Sequence, residues 1–149
     1  MATADPTAAA LYAAEHASLG GIGRRFSDVR GARDFLDEVV ASDWFALRWP
    51  GQAVPTLERR GRGSSWSLAV RKADPDGAML LAELDVATVL HELAHLCRGV
   101  SCGHDDRFVA TLLVLVRRWM GAHAYGALHA AVAAAGRWPH LEAELSRLP

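Results

Sequence analysis

His91-Glu92-Leu93-Ala94-His95 is the segment whose residue types and spacing stand clear of the rest of the chain. Histidines four residues apart on a helix share one face, about one turn apart. From there both imidazoles can reach one metal ion, at nitrogen–zinc distances of about 2 Å. Glu92, beside the first histidine, is placed to address a water held by that ion rather than the ion itself. The pattern points to metal-assisted hydrolysis, in which the cation polarises a carbonyl and acidifies a water. Glu92 then accepts the water's proton and passes it to the leaving amine. The plainer reading is two surface histidines with a solvated glutamate between them.

A catalytic zinc site needs a third protein ligand and an open position. His104, nine residues after His95, is the first candidate, because Gly99 can end the helix and residues 100–103 allow the chain to reverse. Asp105 and Asp106 compete for that role, although carboxylates there also suit the opening of the next helix, where they cap amides. Cys97 and Cys102 flank the motif, and a thiolate in place of water would make a closed structural site. Cys97 falls on the expected apolar face, where a small buried cysteine is commonplace. Tyr12, His123, Tyr125 and His129 could donate to a developing oxyanion, but each has a packed or surface role as its plainer reading.

The runs Val89-Leu90-His91-Glu92-Leu93-Ala94-His95 and Gly103-His104-Asp105-Asp106-Arg107-Phe108-Val109-Ala110 resemble the SprT-like zincin metallopeptidases, in particular a group of short bacterial metallohydrolases. In that group the HExxH helix is followed by a histidine and then by a phenylalanine opening the next helix. The resemblance extends to Leu11-Tyr12-Ala13-Ala14-Glu15, to Phe35 through Val40, to Arg48-Trp49-Pro50 and to the long helix before Gly121. It implies Zn2+ held by His91, His95 and His104, Glu92 as catalytic base, and a peptide or protein substrate. It also implies that the strand ending near Leu81 borders the cleft and pairs with an extended peptide. The chain departs from the group at one place: His104-Asp105-Asp106-Arg107-Phe108 stands where His-Gly-Pro-Glu-Phe is usual.

These residues are carried by a series of helices and short strands. Thr7 to Ala17 forms a first helix, broken by Gly20, Gly21 and Gly23. Ser27 or Asp28 caps a second, in which Val29, Ala32, Phe35, Leu36, Val39 and Val40 recur at helical spacing. Asp43 to Gly51 is a connector, whose Trp44, Phe45 and Trp49 read as core packing rather than a ligand platform. Val54 to Arg60 and Trp66 to Arg71 alternate on either side of a Gly/Ser-rich loop at 61–65, which is a hairpin signal. A second turn spans Ala73 to Gly77, and Met79 to Leu81 supplies a third strand. Asp85 caps the motif helix, which runs to Arg98 and stops at Gly99. Further helices span Asp105 to Met120, His123 to Ala135 and Pro139 to Leu148. The expected fold class is therefore α+β: N-terminal helices, a small antiparallel sheet of about three strands, the HExxH helix and further C-terminal helices. All of it is read as one minimal zincin-like domain, residues 1–149.

Composition narrows the functions. A chain of 149 residues that is 51% hydrophobic and 22% charged is globular. Sixteen Lys+Arg against 17 Asp+Glu leave a net charge of -1, with no general drive onto nucleic acid or anionic membrane. Arg59, Arg60, Arg62 and Arg71 accordingly read as a solvated hairpin face. The longest apolar run, Phe108 to Val116, falls well short of the roughly 20 residues that cross a bilayer. The N-terminus lacks the basic-then-apolar order of a signal peptide, and two cysteines make no secreted-type framework, so a cytoplasmic protein is expected. Two other functions compete with the hydrolase. One is a non-catalytic metal-binding module, structural or partner-recognising. The other is a DNA-associated protease of the SprT type, which only the arginine cluster supports.

Overall fold

The structure, a computed structural model, describes residues 5–60, 77–99 and 102–148, together with the backbone of 68–70. In chain order the elements are α1 (Pro6–Leu19), α2 (Val29–Ala41), α3 (Asp43–Arg48), β1 (Thr56–Arg59), β2 (Leu68–Val70), β3 (Ala78–Leu81), α4 (Val86–Arg98), α5 (Asp106–Met120), α6 (Ala122–Ala135) and α7 (Leu141–Arg147). They fall into two compact units. One holds residues 24–100, with α2 to α4 and the strands; the other joins residues 1–23 to 101–148, with α1 and α5 to α7.

In the first of these units, the Asp28 carboxylate accepts from the Gly31 amide and starts α2. Ala32, Phe35, Leu36, Val39 and Val40 then bury one side of that helix, the i, i+3, i+4, i+7, i+8 stripe that an amphipathic helix turns to its core. α2 packs on β1 and α4, and α4 covers β2 and β3. The expected connector after Ser42 is partly helical. The Ser42 hydroxyl accepts from the Phe45 amide, and the turn of α3 buries Phe45 completely. Trp49 closes on it with ring centroids 5.0 Å apart, in agreement with the packing role read from the sequence.

The sheet departs from expectation. The chain is mostly helical, with seven helices among the described residues, and its small sheet is not an antiparallel three-stranded one. The strand order is β1-β3-β2. β1 runs parallel to β3, with Leu57 opposite Met79, and β2 lies antiparallel on the other side, with Ala69 opposite Met79. The Thr56 amide bonds to the Gly77 carbonyl at 3.1 Å and the Arg60 amide to the Leu81 carbonyl at 2.8 Å, which continue the parallel ladder at both ends. The predicted hairpin therefore does not form between β1 and β2. A period-two pattern fixes which face a side chain takes, and Leu57, Met79 and Leu81 are all buried, but it is silent on strand direction and partner. The 61–65 loop and most of the second turn lie outside the described residues, as do Arg62 and Arg71.

The second unit is helical. The Asp105 carboxylate accepts from the Phe108 amide at 2.8 Å and caps α5, whose Phe108 to Leu113, Leu115 and Val116 are buried. α1 packs on α6, and α5 on α6 and α7. Gly136 ends α6 in the left-handed conformation at φ 66, the usual glycine stop. Among the described residues, no helix is long and apolar enough to cross a membrane.

Candidate metal centre

α4 is fixed at both ends by local chemistry. Its first turn is closed by Asp85, which accepts from the Thr88 amide at 2.7 Å. The chain before it is tied to the entry of α2 by Phe26 N to Leu84 O at 2.7 Å and Val86 N to Arg24 O at 3.0 Å. At the other end the Gly99 amide bonds to the His95 carbonyl. Leu90, Leu93 and Ala94 are fully buried, so the backbone that carries the motif is held by its own apolar side.

Along this helix His91 and Glu92 are each only 3% exposed, two of three buried polar residues in the described core. His95 is half-buried, and its ring meets that of His91 edge-on, with centroids 5.1 Å apart and planes at 64°. The one-turn juxtaposition expected of the motif is therefore present. Its apolar side comprises Val86, Val89, Leu90, Leu93, Ala94 and Leu96, whereas Cys97, expected on that face, is only half-buried.

His104 opens from the other unit, just before α5. Its carbonyl accepts from the Trp138 indole at 2.9 Å. The ring stands perpendicular to Phe108, with centroids 5.0 Å apart and planes at 89°, and edge-on to Tyr12 at 5.7 Å. Its Nδ1 lies 3.0 Å from Asp5 Oδ2. The other oxygen of Asp5 accepts from the Thr7 amide at 2.9 Å and the Thr7 hydroxyl at 2.6 Å. Burial pushes the Asp5 carboxyl up, but the Thr7 hydroxyl and the His104 ring, with the Thr7 amide, outweigh it and hold the pKa at about 2 against an ordinary 3.8. A folded-state pKa below the unfolded one adds stability that is complete above the ordinary value and is lost as pH falls through the lower one. An open cavity of about 480 Å³ borders this residue, with Trp138, Arg137 and Cys102 in its lining.

One ligand nitrogen each from His91, His95 and His104 lies within 4.8 Å of the others. Three neutral imidazoles suit zinc and other borderline transition metals. The group contains no thiol and no carboxylate. Asp105 caps α5, as its helix-opening position suggested, whereas Asp106 accepts from the distant His140 amide at 2.6 Å. Of the four oxyanion-donor candidates, Tyr12 lies against His104. Tyr125 and His129 belong to a separate cluster in which His129 Nε2 meets Glu142 Oε1 at 2.6 Å and the rings of Tyr125 and His129 stack at 5.8 Å. His123 is exposed.

The expectation that a peptide adds beside the strand before α4 does not hold. β3 is the central strand, flanked by β1 and β2, so residues 78–80 already have partners on both sides. Sequence reasoning also passed over Asp5. An acidic residue before Pro6-Thr7 signals a helix N-cap, but its contact with His104 spans 99 positions, and no local pattern announces it.

Comparison of the chain with protein-family models, with curated proteins and with solved structures returns no match.

Proposed function

We propose that this chain is a zinc-dependent hydrolase, a metallopeptidase that cleaves peptide bonds. The observation that carries the reading is the proximity of three imidazoles, His91, His95 and His104, with Glu92 buried between the first two ligands in sequence. The resemblance of these segments to SprT-like metallopeptidases supports the same reading. When bound, the cation supplies Lewis acidity and a water acidified toward neutral pH. His91 and His95 would hold it from one helix and His104 from another segment. Glu92 takes a proton from the attacking water as its oxygen bonds to the scissile carbonyl carbon, and returns that proton to the amine as the C–N bond breaks.

The test is to load the full chain with zinc, measure retained metal, and screen turnover on a library of unstructured peptides with wild type and Glu92→Gln. The amide keeps the shape of the carboxylate and removes its basicity. Metal content is expected to be unchanged and turnover to fall about 10²–10⁴-fold. Equal turnover in the variant refutes the role of Glu92, and zinc retention without turnover in wild type leaves a metal-binding module in place of an enzyme.

A further inference from the structure

We infer that Asp5 is a positioning residue for the third ligand: its carboxylate fixes the His104 imidazole with the proton on Nδ1, so that ligation of the cation falls to Nε2. The inference rests on the metal reading above and adds to it a residue far outside the motif. Asp5 divides its two oxygens between two tasks. Oδ1 closes the start of α1 through the Thr7 amide and hydroxyl, and Oδ2 meets His104 Nδ1 at 3.0 Å. The carboxylate is thus anchored by a helix terminus before it touches the ring. Only a ring nitrogen that carries a proton can donate to a carboxylate, and the other ring nitrogen then offers the lone pair a metal needs.

The surroundings of the ring make that orientation hard to exchange. Phe108 stands against it, and Trp138 holds the backbone carbonyl of the same residue. Gly103, at φ +62, leaves room for the carboxylate: a Cβ there would come within 3.3 Å of Asp5 Oδ2. A carboxylate that hydrogen-bonds a ligating imidazole sets its tautomer and raises its basicity, and removing such a partner commonly weakens metal binding about 10–100-fold.

The experiment uses the full chain, uniformly 15N-labelled, as wild type, Asp5→Ala, Asp5→Asn and Thr7→Val. Long-range 1H–15N spectra report the tautomer of His104 with and without zinc, and competition with a chromogenic chelator reports zinc affinity. Wild type is expected to show the Nδ1–H form of His104. Asp5→Ala is expected to lose that preference and to bind zinc about 10–100-fold more weakly. Asp5→Asn, which keeps an oxygen acceptor without the charge, is expected to retain the tautomer and recover part of the affinity. Thr7→Val perturbs the same helix start but leaves Oδ2 in place, and is expected to bind as wild type does. An Nε2–H tautomer in zinc-loaded wild type overturns the inference. So does Asp5→Ala affinity within twofold of wild type, or an equal loss in Thr7→Val, and the metal reading survives all three. A wild-type chain that binds no zinc overturns both.

Discussion

Replacing His95 by alanine separates metal binding from folding more cleanly than any other substitution in the motif. His95 is half-buried, whereas His91 is 3% exposed, so truncating His91 also disturbs the packing around it. For His95→Ala in the metal-free chain, a loss of about 1 kcal/mol or less is expected, since only a half-buried ring is truncated. Zinc present at a hundred times its Kd stabilises the wild-type fold by about 2.7 kcal/mol. At about 2–4 °C per kcal/mol for a chain of this size, that raises Tm by about 5–11 °C. If losing one of three imidazoles weakens binding a hundredfold, the same zinc concentration leaves RT ln 2, about 0.4 kcal/mol, and a rise of only about 1–2 °C. The assay is calorimetric unfolding of chelator-stripped protein at buffered free zinc, wild type and variant side by side. A His95→Ala chain that keeps the full zinc-induced rise refutes the assignment of His95 as a ligand. A wild-type Tm that zinc does not move refutes the centre itself.

Two further outcomes follow from the same geometry. The zinc-induced rise in Tm is expected to depend on pH, because protons and metal compete for the imidazoles: it should be full in alkaline solution and shrink as acid protonates them, with a pH-independent rise counting against histidine ligation. Gly77→Ala is expected to destabilise the protein in urea by about 2–4 kcal/mol, since a side chain at φ +89 is strained and its Cβ would sit 2.7 Å from Cδ2 of the buried Leu96; an unchanged midpoint would show that α4 yields without cost.

What the sequence disclosed follows the range of the interactions involved. α4 was readable to its ends because every signal is local: Asp85 accepting from Thr88, Gly99 closing on His95, and a helical period between them. The same holds for Asp28 before α2 and Asp105 before α5. α3 is too short for a helical period to show, at six residues before Pro50, although Ser42 and Asp43 carry the ordinary signs of a helix start. The sheet was misread for a different reason. Alternation located the strands near their observed places, but the parallel pairing of β1 with β3 across the intervening β2 is a tertiary choice that no two-residue period records.

The same distinction divides the candidate centre. Two of its imidazoles are related by helix geometry, and once α4 forms, the 5.1 Å approach of His91 and His95 needs nothing further from the chain. His104 has no such guarantee. It precedes α5 rather than lying within it, where its ring could turn to present either nitrogen. A third ligand in that position requires contacts that are not encoded beside it, and the structure supplies them from distant segments: Trp138 on its carbonyl, Tyr12 at its edge and Asp5 on Nδ1. Of these, Asp5 alone selects between the two ring nitrogens. The HExxH motif therefore accounts for the pairing of two imidazoles on one helix. The contacts that hold His104 come instead from the start of the chain and from near its end, where no local pattern announces them.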